Sequence, residues 1–395
     1  LKIGCPTNDI SVCLPVSLAK KNKKGVLLPP AVGYSVNILM GLCIENHVSP
    51  KYYFRLLIIW LINLINWPFR TYERLVINPR FNSQAIEKAP IFIIGHWRSG
   101  TTHLHNLLCQ DSRMGFVTTY QSVFPDTLFN VFGRFLFHGF TKLLIPGSRK
   151  GDNVALDTKN PQEEEFALGD KASVCYYYFW MFPKNIRKYY DRFIRFCGLA
   201  DEETESWKSA YELLIKKALK NTGRAQFLSK NPPNTARIKV LLEMFPEAKF
   251  IHIHRNPVEV FLSTRHFYIK MLPHLQLHTI AQSEIDKHIF EVYKNLMNDF
   301  LEQKPLISDG NFVEIAFADL ERDPLGNLKA IYEMLDLKGF EQALPLFQNY
   351  QQGMESYEKN KHSVSRELLE KIRQEWGFAM KEFNYDFPEK IEITP

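Results

Sequence analysis

Short unbroken apolar runs punctuate this chain, and stretches in which apolar residues recur every three or four positions follow them. That is the pattern of strands buried on both faces and of the helices that cover them. The runs at 91–94 (IFII), 250–254 (FIHIH) and 312–317 (FVEIAF) predict strands. After the first of them, Leu104, Leu107 and Leu108 share one face of a helix opened by Thr101 and Thr102. Residues 325–337 and 366–383 carry the same helical spacing, and the sequence shows neither an internal repeat nor a Pro- or Gly-rich linker.

Another apolar stretch is LLIIWLINLINWPF at 56–69. Crossing a bilayer takes about 20 predominantly apolar residues, so this segment, interrupted by asparagines, is too short and too broken to span one. The favoured reading is a buried helix capping the sheet. The alternative is an apolar lid or a helix lying on a membrane surface, with Trp60, Trp67, Tyr52, Tyr53, Arg55 and Arg70 at the interface. Aromatic residues also concentrate at 129–140 and 175–182, where they build either core or the wall of an acceptor pocket.

Candidate chemistry gathers at 90–108, PIFIIGHWRSGTTHLHNLL. Gly95 and Gly100 bracket a tight turn between strand and helix, which aims backbone N–H groups and the positive end of the helix dipole at one point. Such a point suits a phosphate or sulfate. A nucleoside-triphosphate loop, G-x-x-x-x-G-K-[ST], would place lysine after the second glycine, where this chain has Thr101. The cation is instead Arg98, inside the loop, offering a planar fork of donors.

The order R-S-G-T-T after a strand resembles the 5′-phosphosulfate loop of the sulfotransferases, which use 3′-phosphoadenosine 5′-phosphosulfate (PAPS). Two further segments carry the same resemblance. In FIHIHRNPVEVFLSTRHFY at 250–268, Arg255 and Ser263 stand eight residues apart, the family's spacing for binding the cofactor's 3′-phosphate. QFLSKNPP at 226–233 resembles the family's strand that ends in a lysine near the transferring sulfonate, here Lys230. With the strand at 312–317 and Asp319 and Leu320 after it, the resemblance runs from about 89 to 337.

The resemblance implies a three-layer α/β/α fold with a central parallel sheet and a P-loop-like phosphosulfate-binding loop. It implies PAPS binding by Arg98, Ser99, Gly100, Thr101, Thr102, Arg255 and Ser263, with Phe317 near the adenine where relatives often have tyrosine. A late basic loop, YEKNKH at 357–362, would close over the 3′-phosphate with Lys359, Lys361 and His362. The chain departs from the cytosolic phenol and steroid branch, which has a histidine two residues after the lysine; here that position is Pro232. Proline cannot take a proton, so the resemblance points to a branch that uses a glutamate base.

NPQEEEFAL at 160–168 supplies the candidates. Pro161 suits a first helical turn, followed by Glu163, Glu164 and Glu165. Successive helical residues point about 100° apart, so the three cannot all face one pocket, and Glu165 or Glu163 is the expected base. His96 is the histidine candidate for touching sulfonate or acceptor, whereas His103 and His105 read as helix-surface residues. His252 and His254 share one face of a strand without a third metal ligand, and the family's reaction needs no metal.

The resemblance implies that the 395 residues divide into a 1–88 N-terminal extension and helical cap and an 89–395 sulfotransferase domain whose acceptor-binding insert covers about 116–222. A net charge of +6, spread out apart from LAKKNKK at 18–24, suits an enzyme that binds an anionic nucleotide and argues against a nucleic-acid partner. Six cysteines without CxxC spacing read as reduced thiols of a cytoplasmic protein, with a peripheral membrane contact as a further expectation. The expected reaction is PAPS-dependent sulfonation of a hydroxyl on a small lipophilic acceptor such as a sterol or steroid. The alternatives are a P-loop nucleotide kinase and a catalytically silent nucleotide-binding module.

Overall fold

The computed structural model describes residues 29–144, 157–353, 363–388 and 391–394. Five parallel strands form the central sheet: β1 (Ile91–Ile94), β2 (Met114–Gly115), β3 (Gln226–Lys230), β4 (Lys249–His254) and β5 (Phe312–Ala316). Their spatial order is β2-β3-β1-β4-β5. Ile93 pairs across from Lys230, Ile94 from His252, and His254 from Ala316.

Alternation along these strands builds the three layers. Phe92, Ile94, Phe227 and Phe250 enter one apolar cluster, while Ile91, Ile93, Leu228 and Ile251 enter a second. Successive strand residues point to opposite faces, so each face of the sheet needs its own helical cover. The expected α/β/α architecture with a central parallel sheet is what forms.

Connectivity places β1 at a switch point. The chain runs from β1 to β2 and β3 on one side, then crosses to β4 and β5 on the other. In open parallel sheets, ligands bind beyond the carboxyl ends of the strands where the winding reverses. The segment between β2 and β3 is helical, with Thr119–Val123, Val131–Leu144, Glu164–Lys171, Ile186–Phe193 and Asp201–Thr222.

The apolar stretch at 56–69 belongs to the helix Tyr53–Tyr72, and its packing overturns the reading of a buried cap. The buried positions are Ile59, Asn63, Asn66 and Arg70, while Leu57, Leu61, Leu64, Ile65 and Trp67 are exposed. The inner neighbours explain the inversion. Asn63 donates to the Ala31 carbonyl at 2.9 Å and Arg70 to the Tyr34 carbonyl at 2.8 Å. Arg55 donates to the Gln276 and Pro273 carbonyls at 2.6 and 3.0 Å, at the C-terminal end of another helix. Unpaired buried carbonyls are costly, so the helix turns its donors inward.

A buried charge network fastens this helix to the insert. The Glu73 carboxylate accepts from the N–H groups of Leu128, Phe129 and Asn130 at 3.1, 2.9 and 3.0 Å, just before the helix Val131–Leu144. Lys217, fully buried, lies 2.8 Å from Glu73 and 3.0 Å from Asp126. Lys171 and Arg74 also pair with Asp126. Among the described residues, no helix is long and apolar enough to cross a membrane.

Removing the Glu73 charge leaves buried Lys217 with only Asp126, a carboxylate already shared with Lys171 and Arg74. Glu73→Gln is therefore expected to lower unfolding stability by about 3 to 5 kcal/mol, read from the urea midpoint; a midpoint equal to wild type would contradict the anchoring role.

Candidate active site

Several candidate positions sit where parallel strands end. The loop from Gly95 to Gly100 follows β1, Lys230 is the last residue of β3, Arg255 follows β4 and Phe317 follows β5. Four neighbouring strands thus bring residues distant in sequence to one edge.

The loop is set by backbone demands. Gly95 and Gly100 have φ of +140° and +95°, conformations that favour glycine. A Cβ on Gly95 would lie 2.3 Å from the Ile253 carbonyl, and one on Gly100 would strike the Phe317 ring at 2.2 Å. Arg98 itself adopts φ of +72°, a strained region for a residue with a side chain. Thr235 clamps the loop's start, accepting from the Gly95 N–H at 2.8 Å and donating to the Gly95 carbonyl at 3.2 Å. Ser99 and Thr101 are buried, and the helix Thr101–Leu108 begins after Gly100 with Thr102 in its first turn.

The cofactor candidates within the described residues converge. Arg98 Nε donates to Ser263 Oγ at 3.0 Å and its guanidinium lies over the Phe267 ring at 5.1 Å. Arg255 reaches the Arg98 carbonyl at 3.5 Å, stacks over Phe317 at 4.8 Å, and pairs with Glu259 at 2.7 Å. Lys359, Lys361 and His362 lie outside the described residues.

The three glutamates diverge to three partners. The helix begins at Glu164, so Glu163 is its N-cap residue and Pro161, expected in the first turn, instead bridges Thr118. Glu163 pairs with Lys230 Nζ through one oxygen and accepts from Tyr177 Oη through the other. Tyr177 in turn accepts from Trp97 Nε1 at 2.8 Å. A chain of contacts therefore runs from Lys230 through Glu163, Tyr177 and Trp97 into the loop beside Arg98. Sequence reasoning missed Tyr177 and Trp97, and nothing distinguishes Tyr177 within its aromatic run. It also missed Thr235, whose only signal is the preceding Pro232 and Pro233, which start a 3-10 turn.

Glu165 has a different environment. Arg237 grips both its oxygens, at 2.7 and 3.0 Å, while the Tyr176 N–H and Asn231 Nδ2 add bonds at 2.7 and 3.0 Å. Both Glu165 and Arg237 have fully buried side chains. A carboxylate so saturated is an anchor for the turn Tyr176–Trp180, which lies in the core with the rest of its aromatic run.

Glu164 accepts from Ser229 Oγ at 3.0 Å and from the Lys230 N–H at 3.4 Å. Burial pushes its carboxyl up to about 8. His96 is buried, donates from Nδ1 to the Trp97 carbonyl at 2.7 Å and packs on Tyr293. Burial takes its pKa down to about 4 despite that bond, so the imidazole is neutral near pH 7. His105, expected on the helix surface, is fully buried against Phe116 because its position faces the sheet with Leu104 and Leu108. His252 bonds Glu314 at 2.7 Å and stacks on Phe300, and His254 bonds Tyr385 at 2.8 Å.

Residues 90–342 match the Sulfotransferase family. Two relatives, both named omega-hydroxy-beta-dihydromenaquinone-9 sulfotransferase Stf3, come from Mycobacterium bovis and Mycobacterium tuberculosis. Each is 30% identical over 379 residues, spanning 93% of this chain and 94% of the relative. Sulfotransferase STF9 from Mycobacterium avium superposes with a TM-score of 0.65 at 16% identity, over 91% of this chain and 98% of its own. Sulfotransferase STF1 from Mycobacterium tuberculosis H37Rv gives 0.62 at 16% identity, over 86% and 90%. These two structural likenesses carry the fold.

The raised carboxyl of Glu164 has a measurable consequence. Unfolded, it ionises near 4.5; folded, near 8. Its contribution to stability is thus fully present below pH 4.5 and is lost as pH rises towards 8, by up to about 1.4 kcal/mol per pH unit. Glu164→Gln should flatten that fall in denaturant titrations between pH 5 and 8; an unchanged slope would contradict the assignment.

Proposed function

Because the chain belongs to the sulfotransferase family, we propose that it transfers the sulfonate group of PAPS to a hydroxyl of a lipophilic alcohol. The products are a sulfate ester and 3′-phosphoadenosine 5′-phosphate (PAP). The observation that carries the proposal is the convergence of Arg98, Ser263, Arg255 and Phe317 beside the loop after β1. These residues fit a ligand with two separate phosphate groups and an aromatic base. The loop N–H groups and Arg98 suit the 5′ end. Arg255 and Ser263 suit the 3′-phosphate, with a bidentate cation and a neutral hydroxyl. Phe317 keeps a stacking face for adenine and lacks the hydroxyl of a tyrosine. Lys361 and His362 extend the proposal as residues that close over the 3′-phosphate.

PAPS supplies an activated S–O bond. The acceptor oxygen bonds to sulfur as the bond from sulfur to the 5′-phosphate oxygen breaks, and the acceptor proton passes to Glu163. Lys230, now on Glu163, is the cation placed to exchange that carboxylate for the leaving oxygen, which would release the Glu163 lone pair for the proton. Arg98 and the N–H groups of residues 99–102 stabilise the departing phosphate; one such donor is commonly worth roughly 100- to 1000-fold in rate. Glu165 holds the turn that carries Tyr177, and His96 fixes the loop through Trp97.

The acceptor class rests on two supports. The Stf3 relatives are named for a hydroxylated dihydromenaquinone, and the chain exposes much apolar surface near the insert. A terminally hydroxylated isoprenoid lipid and a sterol are the two acceptor types we put forward. The rival kinase reading is opposed by Thr101 in the place of the loop lysine.

The test is transfer of labelled sulfonate from PAPS to a panel of isoprenoid alcohols, hydroxylated quinols, sterols, phenols and sugars. Product is expected with lipophilic alcohols and not with sugars. Glu163→Gln should lower kcat about 100- to 10,000-fold while PAP affinity stays, whereas Glu165→Gln should act mainly on stability. Tight PAP binding with no product from any hydroxyl would favour the silent nucleotide-binding module.

A further inference from the structure

Soluble proteins seldom expose a continuous apolar face larger than a few hundred Å², and two neighbouring helices of this chain turn large apolar side chains outward. On Tyr53–Tyr72 the exposed residues are Tyr53, Phe54, Leu57, Ile58, Leu61, Leu64, Ile65, Trp67 and Tyr72. Positions 54, 57, 58, 61, 64 and 65 follow the i, i+3, i+4, i+7 rhythm of a single stripe. It is the stripe opposite to Asn63, Asn66 and Arg70, which face the protein. On Val131–Leu144, Phe132 and Phe135 are 80% and 85% exposed, with Leu136 beside them. The helices touch: Phe69 meets Phe137 edge to face, and a Cβ on Gly133 would lie 3.0 Å from Phe69. Gly133 thus lets the two axes approach and joins the stripes.

Charge separates the possible occupants. The sequence has no acidic residue between Glu45 and Glu73 and none from 131 to 144, while the exposed Lys51 and Arg134 lie in these segments. Two copies packed face to face would bring like charges together. A bilayer containing anionic headgroups meets both properties at once, since apolar side chains enter the acyl boundary and basic residues lie at the phosphate level. Tyr53, Trp67 and Tyr72 have the amphipathic rings that favour this depth.

We propose that the outer faces of Tyr53–Tyr72 and Val131–Leu144 dock the protein flat on the surface of an anionic phospholipid bilayer. The helix Tyr53–Tyr72 offers a footprint about 30 Å long. One helix of the docked face is tied to the chain that leads to the site: His138, on Val131–Leu144, shares a hydrogen bond with Thr158 at 3.0 Å, five residues before Glu163. The proposal stands on surface chemistry and does not depend on the acceptor being a lipid.

The test is flotation of the full chain with vesicles of phosphatidylcholine alone and of phosphatidylcholine with phosphatidylglycerol, at low and high salt, with light scattering to give the oligomeric state. Wild type should float with the anionic vesicles, more weakly at high salt and more weakly with the neutral ones. Leu61→Ser combined with Phe135→Ser should cut binding by at least about tenfold at an unchanged melting temperature, as loss of two large apolar contacts predicts. Leu57→Ser with Phe132→Ser repeats the measurement should the first pair unfold. Failure to float, equal binding to both vesicle types, or binding indifferent to the substitutions would overturn the proposal. So would a stable dimer that the same substitutions dissociate, which would assign the face to a second copy.

Discussion

Positive charge is concentrated at the carboxyl edge of the sheet, and the structure there is arranged around holding it. Arg98, Lys230 and Arg255 come from the ends of three strands that are neighbours in space. Each is satisfied by the protein itself: Arg255 by Glu259, Lys230 by Glu163, and Arg98 by Ser263 and the Phe267 face. Taking a charge out of water costs several kcal/mol unless it is paired, so these partners keep the site stable without a ligand. Under the proposed mechanism an arriving anion would compete with them, and the partner released from Lys230 would be a carboxylate able to take a proton. In this account, donor binding and base activation are one exchange of partners.

The same rule shapes the side away from the nucleotide edge. The helix Tyr53–Tyr72 buries Asn63 and Arg70 because the segment beneath presents carbonyl groups, and Glu73 must meet three N–H groups and Lys217. With polar groups committed inward, the apolar residues of that helix have only the outside. An inverted helix is thus a consequence of inner hydrogen bonding, and it leaves a surface that water alone does not favour.

Much of the fold was legible because the strands are short apolar runs ending in unmistakable punctuation. The two glycines after β1, the Asn-Pro after β4 and the Pro-Pro after β3 each mark a strand exit, and the exits carry the chemistry. Side-chain partners were less legible. Three successive glutamates read alike in sequence, yet Lys230, Ser229 and Arg237 give them separate roles, and those partners lie more than sixty residues away. Tyr177 looked like any core aromatic, and only packing turns its hydroxyl to Glu163. The helix at 56–69 shows that apolar content does not mean burial: the asparagines that interrupt its apolar run are the residues that face inward.

The central claim is that the edge after β1, β4 and β5 is a site for two phosphates on one adenine nucleotide. Calorimetric titration of PAP against adenosine 5′-phosphate, without magnesium, tests it most directly. The account predicts that PAP binds at least about 100-fold tighter, the worth of two charge-assisted hydrogen bonds, and that Arg255→Ala removes most of the difference. Equal binding of the two nucleotides, or binding of PAP only with magnesium, would contradict it.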